Sequence, residues 1–299
     1  MRRHIIVLAL AAGVTGVGLT AHWVVSNAPA RRSGVTADAT RAITVEQQVT
    51  AAKGVTRPFD RPALTQAVRA YISTRPGKAG VMVTDLRTGL AFGENEKGRF
   101  VTASIIKVDI LSSLVLQRQR DYRALTRGQR TLAGRMIRES DNDAADALYS
   151  AAGGGSGVKK ANKSFGLKST TPFPGSWGSS LTTPADQVRL LSNLVSAKSP
   201  VNASGRAYIL GLMGSVLHEQ AWGVSAAARP GEKVALKNGW TPVHRQGNGW
   251  AVNSIGRVTG RDHDFLIAVC SGDSPTMKAG VTTVEHVAEM VVSTMRDSR

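Results

Sequence analysis

Ser104 and Lys107 have the residue types and the spacing of a nucleophile and its general base. A serine hydroxyl is a weak nucleophile until a neighbouring group accepts its proton. A lysine can accept that proton only when it is neutral, which requires burial or a nearby cation, such as Lys237, to lower its pKa. On a helix, residues three apart share a face, so the two side chains can meet. The pair predicts acyl-transfer chemistry with Ser104 as the nucleophile.

A second polar triplet, Ser140-Asp141-Asn142, follows in a region with a helical pattern. In the functional interpretation, the Ser140 hydroxyl lies between Lys107 and a second lysine and relays a proton to the leaving group. Asn142 holds the amide of the substrate and orients Lys107. The structural alternative is a solvated polar bend, because Ser, Asp and Asn favour turns.

A third triplet, Lys237-Asn238-Gly239, ends a predicted strand. Lys237 is predicted to attract a carboxylate of the substrate, and Asn238 to donate a hydrogen bond to it. Gly239 has no side chain, so a substrate backbone can approach closely. The backbone N–H groups of Ser104 and Trp240 are predicted to form an oxyanion hole. The alternative for this triplet is an exposed strand end.

Each motif alone is weak evidence, because short patterns recur by chance in a chain of 299 residues. Their occurrence in one order, on helix, helix and strand, is much harder to obtain by coincidence. Other catalytic classes fit less well, since the sequence has no Gly-x-Ser-x-Gly elbow, no His-x-x-x-His pair and no phosphate-binding glycine loop. We therefore predict neither a metal nor a cofactor.

The elements that must position these residues have helix patterns in the middle of the chain. Apolar residues from Ile105 to Val115 surround the helix that follows Ser104, which predicts that it is buried on most sides. A second helical region is predicted over residues 131–150, ended by the glycine-rich run at 153–157. A further helix is predicted to begin at Pro184, with Thr183 as its N-cap.

Strand patterns lie on both sides of this helical block. Further elements are predicted as a helix over 61–75, a hairpin over 80–93, strands at 234–237, 249–255 and 265–270 with a polar turn over 257–264, and a final helix over 282–295. These elements predict an α+β fold, in which the two ends of the chain share one antiparallel sheet flanked by helices. An all-helical lobe is expected over about residues 103–215, with the site at its junction with the sheet.

The motifs and their surroundings resemble class A β-lactamases and penicillin-binding proteins, whose signature combines Ser-x-x-Lys, Ser-Asp-Asn and Lys-Thr-Gly. Residues 100–107 resemble the nucleophile region, 140–146 the second motif, and 181–184 the helix start after the active-site loop. The resemblance covers about residues 60–299 and implies that fold and a covalent acyl-enzyme. It implies catalytic roles for Ser104, Lys107 and Ser140, and substrate-binding roles for Asn142, Lys237, Asn238, Gly239 and Trp240.

The sequence departs from that pattern in three ways. The segment between Lys107 and Ser140 is short, which should remove a loop that walls the substrate cleft. Asn238 stands where Thr or Ser is usual. No Asp or Glu lies between Asp146 and Asp186, the stretch that in class A enzymes carries the glutamate that positions the deacylating water.

Several functions therefore stay open. The first is a β-lactamase-like serine hydrolase acting on a β-lactam or a peptidoglycan peptide. The alternatives are a D-alanyl peptidase, a wall protein that traps penicillin, and a non-catalytic binding module on the same fold.

The net charge of +17 is spread along the chain. It is consistent with a solvated basic surface or with attraction to an anionic cell-wall polymer. No motif for nucleic-acid recognition accompanies the charge, so we expect no nucleic-acid partner. We expect a monomer.

Residues 1–30 have the pattern of a signal peptide or membrane anchor, with Arg2 and Arg3 before an apolar run and Ala28-Pro29-Ala30 after it. Residues 31–58 are predicted to be a linker, and 59–299 the hydrolase domain. A secreted or extracytoplasmic, membrane-tethered protein is expected. Cys270 is the only cysteine, so no internal disulfide can form and no lipid-bearing cysteine follows the apolar run.

Overall fold

Five antiparallel strands form the main sheet, in the order β2-β1-β7-β6-β5. They are β1 (Lys78–Asp85), β2 (Ala91–Glu94), β5 (Lys233–Val243), β6 (Gly249–Thr259) and β7 (Asp264–Ser274). The first and last strands of the chain meet in the middle, because β1 pairs along its length with β7, from Lys78 opposite Gly272 to Asp85 opposite Phe265. Two short strands, β3 (Phe100–Val101) and β4 (Leu181–Thr182), form a separate pair. The computed structural model describes residues 58–243 and 249–298.

Eight helices accompany the strands in these described residues. They are α1 (Arg61–Ser73), α2 (Ile106–Arg120), α3 (Arg127–Gly134), α4 (Asn142–Ala151), α5 (Gly154–Phe165), α6 (Pro184–Val195), α7 (Ala203–Met213) and α8 (Met277–Asp297). Helices α2 to α7 lie between β3 and β5 in the sequence and form the predicted helical lobe. The α+β class and the antiparallel sheet are confirmed.

The sheet has an apolar core on each face. On one face, valines of α1 and α8, such as Val68 and Val291, pack against Val81 and Val269. On the other face, residues of β6 and β7, among them Ile255, pack against the helical lobe. Helix α2 lies at the centre of that second core, and every side chain from Ile106 to Leu116 is buried. This confirms the prediction of a helix enclosed on most sides.

Local signals at several element boundaries are also confirmed. Thr183 caps α6, where its hydroxyl accepts a hydrogen bond from the Asp186 N–H, and Pro184 lies in the first turn. Cys270 is a buried strand residue, and burial raises the pKa of its thiol.

No helix in the described part of the chain is long and apolar enough to cross a membrane. The predicted leader (1–30) and residues 31–57 of the predicted linker lie outside that part.

Several predicted elements differ from the structure. Strand β5 continues through Gly239 to Val243, so the third triplet lies within a strand and not at its end, and α8 begins at Met277 and not at 282. The helical region at 131–150 is interrupted, because Ser140 adopts a left-handed backbone with φ of 60° and the chain restarts at Asn142 as α4. The glycine-rich run does not end the helical block, since Gly153, with φ of 81°, turns the chain directly into α5. The polar turn is shorter than predicted, because β6 extends to Thr259 and β7 begins at Asp264.

Candidate active site

Ser104 lies in a short 3₁₀ turn, Ala103–Ile105, that leads directly into the buried α2. Ala103 has φ of 45°, a left-handed backbone that a residue with a side chain rarely adopts. Such strain costs on the order of 1–3 kcal/mol and persists only where the surroundings enforce it. Ser104 itself is partly exposed, and its hydroxyl has no hydrogen-bond partner among residues 58–243 and 249–298. The hydroxyl is therefore free to face an incoming substrate.

Asn253 of β6 enforces the position of this turn. Its side-chain amide donates hydrogen bonds to the carbonyls of Val101 (2.8 Å) and Thr102 (3.0 Å), while its Oδ1 accepts from the Ser271 N–H (3.2 Å). Asn253 is fully buried. A single buried amide thus joins the strand that precedes Ser104 to strands β6 and β7 of the main sheet.

Gly239 brings the edge strand β5 against the same turn. A Cβ atom placed on Gly239 would lie 2.6 Å from the backbone nitrogen of Ser104 and 2.7 Å from that of Ile105. Only a residue without a side chain permits this approach. The sequence predicted a glycine that makes room for a substrate backbone; in the structure, the atoms that a Cβ on Gly239 would meet belong to the backbone of the turn that carries Ser104.

Lys107 projects into a buried polar cage. Its Nζ donates to the Ser140 carbonyl (2.7 Å), the Asn142 Oδ1 (2.8 Å) and the Ser140 Oγ (3.3 Å). The side chain is fully buried. Burial lowers the pKa of Lys107 to about 7, against the opposing effect of the Asp141 and Asp146 carboxylates. Near neutral pH a large fraction of this amine is therefore neutral and able to accept a proton.

Ser140 faces both lysines because of its left-handed backbone. Its Oγ accepts from Lys237 Nζ at 2.9 Å and lies 3.3 Å from Lys107 Nζ. Lys237 also donates to the Asn238 carbonyl at 2.8 Å. Burial lowers the pKa of Lys237 well below its ordinary value, and the nearby Lys107 lowers it further. One hydroxyl thus bridges two amines that cannot both hold a full charge at low cost.

Asn142 is the first residue of α4 and has an exposed side chain. Asp141 fixes the start of this helix, because its carboxylate accepts from the Ala144 N–H (2.7 Å) and pairs with Arg135 (2.5 Å). Since the Asn142 Oδ1 accepts from Lys107, its amide N–H groups remain available to a ligand in the cleft.

Trp177 covers Lys107 from the loop that precedes β4. The centre of its ring lies 4.7 Å from Lys107 Nζ, within the range of a cation–π contact. Its indole N–H donates to Asp146 of α4 at 2.6 Å. An apolar ring therefore lies directly against the candidate base, in the stretch of chain that has no acidic residue.

Asn238 and Trp240 are placed differently from each other. The Asn238 side chain is fully buried, and its amide donates to the carbonyls of Gln220 (2.8 Å) and Trp222 (3.0 Å). It has no N–H left for a substrate carboxylate, so the side-chain contact predicted for it does not fit this geometry. Trp240 is partly exposed, and its ring packs against Trp222, with ring centres 5.8 Å apart.

The structure thus brings together Ser104, Lys107, Ser140, Asn142, Lys237 and Gly239 around one point at the junction of lobe and sheet. Sequence reasoning assigned no role to three residues that shape this point: Asn253, Trp177 and Asp146. A signal existed for Asn253, which is a polar residue inside an otherwise apolar strand. Trp177 and Asp146 meet only through tertiary contact, so no local pattern marks them.

The arrangement has the parts needed for covalent acyl transfer. A partly exposed hydroxyl begins a helix whose N-terminal N–H groups favour developing negative charge. A buried amine of lowered pKa is held one turn later, and a second hydroxyl connects it to another buried amine.

Comparison with known proteins places this geometry in context. A family model described as the beta-lactamase enzyme family matches residues 63–128 and 115–295. The putative lipoprotein LppW of Mycobacterium tuberculosis is 25% identical over 212 residues, which cover 68% of this chain and 66% of the relative. The chain thus spans about two thirds of that curated relative's length.

Solved structures with the same fold have low sequence identity. The extended-spectrum β-lactamase TLA-1 superposes with a TM-score of 0.70 at 18% identity, covering 79% of this chain and 99% of the other. A class A β-lactamase from Mycobacterium abscessus gives 0.66 at 20%, covering 78% and 99%. A mutant of PBP-A, solved as its acyl-enzyme complex with penicillin G, gives 0.68 at 20%, covering 81% and 98%.

Proposed function

The chain belongs to the beta-lactamase enzyme family, and on this basis we propose that it is an extracytoplasmic serine hydrolase that forms an acyl-enzyme through Ser104. The substrate class is a β-lactam or a related amide such as a D-alanyl peptide of peptidoglycan. The observation that carries the proposal is the buried Lys107, whose pKa is about 7 and which contacts both Ser140 and Asn142.

The proposed acylation uses Ser104 as the nucleophile and Lys107 as its base. Ser104 Oγ attacks the carbonyl carbon of the substrate while Lys107 Nζ accepts the hydroxyl proton. The N–H groups of Ser104 and Trp240 stabilise the oxyanion. When the C–N bond breaks, Ser140 Oγ delivers a proton to the leaving nitrogen and is reprotonated from the lysines.

Lys237 acts on the carboxylate side of the substrate. A buried amine favours its charged form only when an anion accompanies it. A substrate carboxylate would supply such an anion beside Lys237, which favours carboxylate-bearing substrates.

Deacylation is slow in this proposal. Residues 147–185 contain no Asp or Glu, so the stretch offers no carboxylate to activate a water. The Trp177 ring covers Lys107 instead. These two observations favour a persistent acyl-enzyme, as in a penicillin-binding or penicillin-trapping protein, over a rapid β-lactamase.

An extracytoplasmic location is supported by the leader-like residues 1–30 and by a relative described as a putative lipoprotein. The only cysteine of this sequence is the buried Cys270. We therefore propose that residues 1–30 export the protein as a signal peptide or hold it as a membrane anchor, and that no lipid-bearing cysteine is involved.

The test is a time course of intact-protein mass after mixing the purified protein with penicillin G, with nitrocefin hydrolysis followed in parallel. We expect an adduct that persists for many minutes and slow product formation. Ser104→Ala should remove the adduct and keep the melting temperature within a few degrees of the wild type. An adduct on Ser104→Ala would overturn the nucleophile assignment, and no adduct on the wild type would favour a binding module.

A further inference from the structure

A second cavity lies at the opposite end of α2 from Ser104. It has a volume of about 750 Å³ and forms where the end of α2, the loop that follows it and the start of α7 meet. At 1.5 Å per residue, Arg118 lies roughly 20 Å along the chain from the nucleophile turn. This cavity shares no residue with the candidate active site.

Four arginines surround the cavity, and they are Arg118, Arg120, Arg123 and Arg130. No acidic residue lines it, and no carboxylate in the described part of the chain forms a salt bridge with any of the four. Arg120 donates to the Ser164 hydroxyl (2.8 Å) and Arg130 Nε to the Leu125 carbonyl (3.4 Å), so neither of these hydrogen bonds pairs an arginine with an anion.

Helix electrostatics accounts for only part of this cluster. Cations are favourable near a helix C-terminus, and Arg118 and Arg120 lie in the last turn of α2. Arg123 lies beyond the helix, and Arg130 lies on α3. These two bring charge to the same cavity from other elements, against their mutual repulsion.

Two tyrosines frame the arginines. Tyr122 is 100% exposed and has a left-handed backbone with φ of 55°. Such a conformation costs free energy for a residue with a side chain, and here it holds an aromatic ring in solvent. Tyr208 forms another wall, with its ring centre 5.5 Å from the Arg130 guanidinium. Helix α7 begins at Ala203 beside the cavity and presents the positive end of its dipole there.

We propose that this cavity binds a polymer that carries phosphate groups, and that it docks the enzyme on such a polymer of the cell envelope. Guanidinium groups pair with phosphate through two parallel hydrogen bonds, and four of them exceed what one phosphate needs. An exposed ring beside them suits a ligand with a sugar or polyol backbone. The net charge of +17 would concentrate the whole protein near such a polymer.

The test measures binding of full-length protein to a fluorescently labelled long-chain polyphosphate at several salt concentrations. The variant is the double substitution Arg118→Gln with Arg123→Gln. The control is Arg75→Gln with Arg87→Gln, two exposed arginines outside this cavity, which lower the net charge equally. We expect the variant to weaken binding about tenfold or more at 0.15 M salt and to reduce the salt slope by about 1–2. The control should change Kd by about twofold or less.

Equal losses in variant and control would overturn the proposal in favour of a diffuse basic surface. So would tighter binding of polygalacturonate or of anionic vesicles than of polyphosphate with the same dependence on Arg118 and Arg123. If the double variant melts early, Tyr122→Ala with Arg123→Gln replaces it, since both positions are exposed. Penicillin labelling of Ser104 should be unchanged in every variant, so a failure of this proposal is separable from a failure of the acyl-enzyme.

Discussion

Raising the pH from 6 to 8 should accelerate acylation of Ser104 about tenfold, because only the neutral form of Lys107 accepts the serine proton. With a pKa of about 7, about a tenth of Lys107 is neutral at pH 6 and about nine tenths at pH 8. The rate should level off above about pH 8. A lysine with the ordinary pKa of 10.5 would be almost wholly charged throughout this range.

A charge substitution tests the origin of that pKa. Asp146→Asn removes a carboxylate that raises the pKa of Lys107 and keeps an oxygen that can accept from the Trp177 indole. The midpoint of the pH profile should therefore move to lower pH. Because Asp146 is exposed, solvent screening limits the shift to about half a unit. Asp143→Asn, an exposed acid on the same helix, is the control and should leave the midpoint in place.

The assay measures the first-order rate constant of adduct formation at subsaturating fluorescent penicillin, quenched at intervals between pH 5.5 and 9. A flat profile between pH 6 and 8 would refute titration of Lys107 near pH 7 as the control of acylation, and a midpoint above pH 9 would mean that Lys107 is a cation at neutral pH. Equal shifts in the Asp146 and Asp143 variants would refute the proposed electrostatic origin.

Three further outcomes are expected. Trp177→Ala should admit water beside Lys107 and shorten the lifetime of the penicillin adduct about tenfold, whereas Trp177→Phe should preserve that lifetime. Intact-protein mass after removal of free penicillin measures both lifetimes. Equal lifetimes in the Ala and Phe variants would exclude the ring as a barrier to water. Gly239→Ala places a Cβ 2.6 Å from the Ser104 nitrogen and should slow acylation about a hundredfold, while Gly175→Ala, with open space around it, should not. The buried Asp109 has a pKa raised to about 7 from 3.8, so the wild type should lose stability as the pH rises between these values. Asp109→Asn should lack this loss and gain at most about 4 kcal/mol relative to wild type at pH 8. An equal change in the free energy of unfolding of the two proteins between pH 5 and pH 8 would contradict this.

Periodic patterns predicted the parts of the fold that depend on local sequence. The burial of α2 on most sides and the N-cap at Thr183 can each be predicted from a few neighbouring residues, and both are confirmed. The start of α5 was missed because four glycines in five residues argue against a helix by propensity. Burial of Val158, Ala161 and Phe165 outweighs that local cost.

The candidate site was predictable in its residue types but not in its conformation. The order of the motifs identified Ser104, Ser140 and Lys237, which lie far apart in the chain and close together in the structure. The left-handed backbone of Ser140 occurs together with tertiary contacts to the two lysines. Since these contacts join distant parts of the chain, nothing in the local sequence marks that conformation. The direction of the Asn238 side chain depended on the carbonyls of a distant loop, which no strand pattern reveals.

The pairing of β1 with β7 has a consequence for the time at which activity can arise. Lys78 pairs with Gly272, with the whole helical lobe between them in the chain. Contacts between such distant segments form slowly, because the loop must close before the contacts stabilise it. The turn that carries Ser104 is held by Asn253, which is itself bound to β7. Under the proposed function, a chain whose C-terminal strands have not yet joined the sheet would carry Ser104 and Lys107 without the contacts that hold them, so acylation should begin only once β6 and β7 are in place.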